Sequence, residues 1–196
     1  MSKKLKLVAV SGGLSSPSRT TVLLNAIVAE LQRKLPLEVH LIELQKLGPL
    51  LGGSLSRLEL PQAAIKDILK IEEADLLVVA TPVYRASFTG LFKHLFDFVG
   101  HESLTNIPVL LAATGGSERH ALVIDHQLRP LFSFFQALTL PLGVYGSEAD
   151  FETLDLGGYA IASEALHERI ALAVERALPY LAVSSQTIAS AAKARA

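Results

Sequence analysis

From Leu7 to Thr21 the chain reads Leu-Val-Ala-Val-Ser-Gly-Gly-Leu-Ser-Ser-Pro-Ser-Arg-Thr-Thr. Two glycines, the hydroxyls of Ser11, Ser15, Ser16, Ser18, Thr20 and Thr21, and the single cation Arg19 are crowded into this stretch. Hydroxyls, free amides and one guanidinium are the groups that hold an oxyanion. The apolar run Leu7–Val10 suits a buried strand. Val22, Leu23, Ala26, Ile27 and Leu31 then keep one helical face. Ser16-Pro17 reads as an N-cap followed by proline at the first helical position. A hydroxyl-rich loop between a strand and a helix start is an anion cradle, because the first amides of the helix have no partner and its dipole favours negative charge. The loop has neither Gly-x-x-x-x-Gly-Lys-Ser/Thr nor Gly-x-Gly-x-x-Gly. A nucleoside triphosphate and a dinucleotide pyrophosphate therefore fit poorly, and a phosphate monoester such as that of flavin mononucleotide (FMN) fits better.

The elements that must position this loop alternate along the chain. Strands are expected over Leu5–Val10, Val39–Ile42, Leu76–Ala80, Val109–Ala113 and Leu140–Tyr145, and helices over Pro17–Leu35, Pro61–Glu72, Thr89–Val99, Arg119–Leu138 and Ser163–Tyr180. This alternation predicts a three-layer α/β sandwich around a five-stranded parallel sheet, with the order 2-1-3-4-5 usual for that count. Leu47–Arg57 reads as a mobile connection. The small, polar stretch from Ser184 to Ala196 reads as a flexible tail after a single domain over residues 1–183.

Composition narrows the function. The net charge is -1 and half of the residues are hydrophobic, so the basic patches that nucleic acid or an anionic membrane would require are missing. No apolar run approaches the roughly 18 residues of a membrane span. The apolar stretch after the basic start ends at Val10, too soon for a signal peptide. Zero cysteines exclude a disulfide, a thiolate nucleophile and a thiol-tethered flavin. A cytoplasmic protein with a non-covalent ligand is expected. The histidines show no metal-ligand spacing, so no metal is assigned. Ser11 lacks the Gly-x-Ser-x-Gly elbow of a hydrolase nucleophile.

Two further loops fall on the same edge of such a sheet. Leu76–Ala80 runs into Thr81-Pro82-Val83-Tyr84-Arg85-Ala86-Ser87-Phe88, and Val109–Ala113 into Thr114-Gly115-Gly116-Ser117. Pro82 sets a turn, Tyr84 offers a ring face, and Gly115-Gly116 allow close backbone approach to a ring edge. Tyr84 packed on its own loop is the plainer alternative. Lys93 and Asp97 at i and i+4 read as a solvated ion pair, and Phe88, Phe92, Phe96 and Val99 as core or interface.

Thr81-Pro82-Val83-Tyr84 continuing into Gly90-Leu91-Phe92-Lys93-His94-Leu95-Phe96-Asp97 resembles the signature loop and helix of the NAD(P)H-dependent FMN reductase family. Pro17-Ser18-Arg19, Thr114-Gly115-Gly116 and Asp125-His126-Gln127-Leu128-Arg129-Pro130 are similar to the reductase components of two-component alkanesulfonate or methanesulfonate monooxygenases. The resemblance runs from about Leu7 to Leu181. It implies a flavodoxin-like fold and reduction of FMN by NADH or NADPH, with the reduced flavin passed to a monooxygenase that cleaves sulfonates for sulfur. By resemblance, Ser11, Ser16, Ser18, Arg19 and Thr20 hold the ribityl phosphate. Pro82, Val83, Tyr84 and Arg85 border the isoalloxazine, and Thr114, Gly115 and Gly116 meet its other edge. Many relatives carry Gly-Ser and then an arginine two residues on, where this chain has Gly12-Gly13 and Ser15. The departure implies weaker phosphate binding.

No general acid or base is assigned, because hydride passes directly between stacked rings. Arg85 or Arg119 is placed against a pyridine-nucleotide phosphate. Arg119–Leu138 is apolar around more of its circumference than one core face needs, which favours an intersubunit helix. The resemblance implies a dimer or a dimer of dimers. Pro130 has no N–H for the carbonyl of His126 and crowds it, so the helix should widen there. The resemblance adds that some two-component reductases carry an inserted aromatic residue at such a widening, the place that His126 takes. His126 is thus expected at the subunit interface, near the flavin, as a modulator of its release. A quinone or azo reductase with tightly bound FMN is the nearest alternative. A flavodoxin-like electron carrier would want an acidic docking face and a stronger aromatic clamp, and a receiver domain would want acidic residues after the first strand.

Overall fold

The computed structural model describes residues 4–194, with side chains described as far as residue 181. Strand β1 (Leu5–Ser11) leads into α1 (Arg19–Lys34), β2 (Leu37–Glu43), α2 (Leu44–Leu51) and α3 (Gln62–Glu72). Then come β3 (Leu76–Pro82), α4 (Gly90–Asp97), β4 (Pro108–Gly115), a π-helical turn (Ile124–Leu128) and α5 (Arg129–Phe134). Short strands β5 (Leu138–Thr139), β6 (Val144–Ser147), β7 (Phe151–Thr153) and β8 (Tyr159–Ile161) precede α6 (Glu164–Ala194).

The main sheet has the order β2-β1-β3-β4-β5, all parallel, with β6 also paired to β4. This is the doubly wound, flavodoxin-like order expected from the alternation of elements. Successive side chains of a strand point to opposite faces. Val8, Val10, Leu77, Val79 and Leu111 accordingly pack against Phe92 and Phe96 of α4 and Phe132 of α5. Leu7, Ala9, Leu76, Val78 and Leu110 pack against α1 and α6 through Leu23, Ile27, Ile170 and Val174. Both faces are covered, which is why the central strands read as unbroken apolar runs. Lys93 and Asp97 form the exposed ion pair that their spacing predicts.

Several expected boundaries are corrected. Pro17 is not the first helical residue: the Ser16-Pro17 peptide is cis and precedes the helix. Ser18 is the N-cap, extended at φ −137° and ψ 121°, and its hydroxyl accepts the Thr21 N–H. Much of the connection expected over Leu47–Arg57 is helix α2, whose Leu44, Leu47 and Leu51 reach the core. The strand expected over Leu140–Tyr145 begins only at Val144, as β6, with the two-residue β5 before it; Pro141, which cannot donate to the ladder, falls in the gap between them. The long helix expected over Arg119–Leu138 is broken into a 3-10 turn (Glu118–His120), the π turn and α5. The backbone of α6 continues to Ala194, through most of the segment that carries no core pattern, and residues 195–196 lie outside the described ones.

Candidate functional site

Three loops leave the carboxyl ends of β1, β3 and β4 and meet over one cleft. After β1, the Gly12 N–H donates to the carbonyl of Ala80 at 2.7 Å, so the loop departs tightly along β3. It then enters α1 with Ser18, Arg19 and Thr20 lining the cleft, beside Gly13, Leu14, Ser15 and Pro17. The first amides of α1 have no helical carbonyl within reach, so this wall offers N–H donors together with hydroxyls.

Pro82, Val83 and Tyr84 form the second wall. The Val83 N–H donates to the carbonyl of Thr114 at 2.8 Å, which binds this loop to the third one. Tyr84 and Ser87 exchange N–H···O bonds of 2.8 and 3.1 Å around Arg85 and Ala86, at φ +50° and +67°. Two left-handed residues in a hydrogen-bonded pair define a type I′ turn, built here without glycine. The turn leaves Tyr84 about half exposed along the cleft. Its Ser87 hydroxyl donates to Gln127 of the π turn at 3.0 Å.

Thr114, Gly115 and Gly116 close the third side. The Thr114 hydroxyl lies 2.7 Å from that of Thr20, pinning the β4 loop to α1. A Cβ on Gly115 would stand 2.2 Å from the Tyr145 hydroxyl, so glycine is required there. That hydroxyl donates to the carbonyl of Ser117 at 2.6 Å. Burial, with the Glu118 and Asp150 carboxylates adding, pushes the Tyr145 pKa up and keeps the phenol a donor.

A fourth wall escaped the sequence reading. Tyr159 of β8 reaches the cleft, with the Arg19 guanidinium carbon 4.4 Å from its ring centre. The signal was present in Gly157-Gly158, at φ +85° and +98°, a glycine pair that turns one short strand back on another. Arg19 also donates through Nη2 to Glu148 Oε1 at 2.7 Å, while its Nε is buried without a hydrogen-bond partner.

Nine residues expected at a ligand therefore border one cleft: Ser18, Arg19, Thr20, Pro82, Val83, Tyr84, Thr114, Gly115 and Gly116. Three others do not border it. The Ser11 hydroxyl is fully buried against that of Thr21 at 2.8 Å, so it braces the loop from inside. Ser16 is exposed, and Arg85 projects from the type I′ turn toward solvent.

Beside this cleft, Val83, Ala86, Arg119, His120, Val123 and His126 line a second groove. Its floor is the π turn, where the Arg129 N–H reaches the carbonyl of Ile124, five residues back. Pro130 supplies no N–H to the His126 carbonyl, and the widening falls on His126 as the sequence predicts. His126 is exposed.

A buried guanidinium nitrogen without a partner, free helix-start amides and a row of hydroxyls suit a phosphate monoester, and Tyr84 beside a glycine-lined edge suits a flat ring. The sequence is 60% identical over 179 residues to the NADH-dependent FMN reductase SfnF of Pseudomonas fluorescens (strain Pf0-1), covering 91% of this chain and 93% of that protein. It is 54% identical over 188 residues to an FMN reductase (NADPH) of Pseudomonas aeruginosa, covering 96% and 98%. Among solved structures, an oxidoreductase from Corynebacterium diphtheriae superposes with a TM-score of 0.80 at 34% identity, covering 91% of this chain and 97% of that one. Residues 5–152 match the family model for NADPH-dependent FMN reductases, and with these relatives the chain belongs to that family.

Proposed function

We propose that this protein reduces FMN with NADH or NADPH and releases the reduced flavin to a partner monooxygenase that cleaves sulfonates. The observation that carries the reading is the convergence of a phosphate-type wall (Ser18, Arg19, Thr20) and a ring-type wall (Tyr84, Gly115, Gly116) on one cleft. Bound FMN supplies the ring that accepts two electrons from the nicotinamide. The chain's own contribution is positional. Ser18, Arg19 and Thr20 anchor the phosphate, with Arg19 Nε as its charged donor. Pro82, Val83 and Tyr84 would border the ring, with Tyr84 offering it an aromatic face. Backbone amides around Gly115 and Gly116 stabilise negative charge on the ring edge as it is reduced. Arg119 lines the adjoining groove with Val83 and His126, and in this reading it meets a pyridine-nucleotide phosphate.

Exposed apolar side chains on either side of the π turn support self-association: Leu122 is 63% exposed just before it and Phe134 is 60% exposed at the end of α5, and in this reading a second copy of the chain covers them. In this arrangement a homodimer or homotetramer brings His126 to the interface, close to the flavin groove. No helix among the described residues is long and apolar enough to cross a membrane, and the reading places the protein in the cytoplasm.

Steady-state oxidation of NADH and NADPH by extensively dialysed protein, with FMN, FAD and riboflavin titrated separately, tests the proposal. Activity that is absent without added flavin and saturates best with FMN is expected. Protein that stays yellow, ignores added flavin and reduces quinones or azo dyes would overturn it.

A further inference from the structure

We propose that Glu148 sets how tightly the flavin phosphate is held, by competing with it for Arg19. The inference rests on the FMN reading above and adds a residue that the ligand loops do not contain. Among the described residues, Arg19 is the one arginine that lines the cleft. Its Nη2 donates to Glu148 Oε1 at 2.7 Å, yet Nε, on the same side of the guanidinium fork, is buried without a partner. A carboxylate or phosphate satisfies a guanidinium best by taking two parallel N–H donors. Glu148 accepts from Nη2 and leaves the buried Nε without a partner. A phosphate that takes the Nη2 hydrogen used by Glu148 must displace that carboxylate. A phosphate that accepts from Nε or from the other Nη2 hydrogen must bind beside a carboxylate of its own sign. Either way Glu148 weakens binding of the phosphorylated flavin and leaves the ring contacts untouched.

The competitor is held on a firm support. Glu148 opens the turn Glu148–Asp150, in which the Asp150 carboxylate accepts the Ser147 N–H at 2.7 Å and the Ser147 hydroxyl at 2.9 Å. The chain continues directly into the β7–β8 hairpin, whose Tyr159 faces the Arg19 guanidinium. Arg19 is thus fixed between a carboxylate and a ring, both from one short segment. A flavin used as a substrate must leave after reduction, and a built-in rival for its phosphate serves that purpose.

The test is the equilibrium dissociation constant of oxidised FMN and of riboflavin, read by flavin fluorescence quenching. It compares the wild type, Glu148→Gln, Arg19→Gln and the double variant. Exposed ion pairs contribute modestly, so Glu148→Gln is expected to tighten FMN about three- to fivefold. Riboflavin, which lacks the phosphate, is expected to bind as before. With Arg19→Gln in place, the same change is expected to gain less than about twofold. Glu148 is more than half exposed and does not make the cap of its turn, so the variant keeps its fold, which a thermal midpoint checks. Unchanged or weaker FMN binding, equal tightening of both flavins, or a full gain without Arg19 each overturns the proposal. A wild type that binds neither flavin instead overturns the FMN reading beneath it.

Discussion

The hydroxyls of Thr20 and Thr114 meet at 2.7 Å, both buried, and join the first turn of α1 to the carboxyl end of β4. The contact fixes the distance between the phosphate wall and the ring-edge wall. Thr114→Val keeps the shape and leaves the Thr20 hydroxyl buried without its partner. A stability loss of about 1–3 kcal/mol is expected in urea unfolding, with weaker FMN binding in titration.

Gly115 and Tyr145 compete for one space. Gly115→Ala places a Cβ 2.2 Å from the Tyr145 hydroxyl, which must then give up its bond to Ser117. The expected cost is about 1–3 kcal/mol, from overpacking and a lost hydrogen bond. In a Tyr145→Phe background the obstructing oxygen is absent, and the same substitution should cost less than half as much. An equal cost in both backgrounds would assign the requirement for glycine to another contact.

The type I′ turn at Arg85 and Ala86 stores backbone strain, since neither residue is a glycine. Ala86→Gly, at φ +67°, is expected to raise stability by about 0.5–1 kcal/mol despite glycine's greater freedom in the unfolded chain. A rise in the thermal midpoint checks it. A fall would mean that the Ala86 methyl, which lines the groove beside the π turn, contributes more through packing than it costs in strain.

Two carboxylates tie stability to acid. Burial pushes the Glu72 pKa up, but bonds from Arg57 at 2.9 Å and from the Gly100 N–H at 2.7 Å, with the charge of Arg57, leave it below its ordinary value. Burial likewise opposes ionisation of Asp150, and hydrogen bonds from the Ser147 amide, Ser163 and the Ser147 hydroxyl, with the charge of Arg169, outweigh it. A pKa depressed in the folded state gives stability that is present above the unfolded value and lost as pH falls through the folded one. The protein is therefore expected to keep this stability at neutral pH and to lose it below about pH 4. Urea midpoints measured between pH 7 and 3 should fall less steeply for a Glu72→Gln, Asp150→Asn double variant.

At the π turn, His126→Ala removes the exposed ring from the groove beside the flavin cleft. The expected outcome is that the proposed self-association weakens in sedimentation and that bound flavin is released more slowly in stopped-flow chasing. If neither changes, His126 has no part in the interface or in release.

Features whose geometry is local were legible in the order of the residues. Apolar runs such as Leu76–Ala80 had to be buried strands, and the hydroxyl-rich stretch after Val10 had to be a loop feeding a helix. Pro130, with no N–H to give, was enough to place the widened turn on His126. Other features arise from contacts between chain segments far apart, which packing alone brings together. Ser11 has the residue type of a phosphate ligand, yet the packing of β1 against α1 turns it inward onto Thr21. Pro17 reads as a helix start until Ser18 takes the cap. Glu148 stands 129 residues from Arg19, and Tyr159 comes from a hairpin of three-residue strands too short to show a period. Side-chain type and spacing set what a loop can bind. Which of those side chains reaches the ligand, and which distant residue competes for it, follows from how the sheet stacks the loops along one edge.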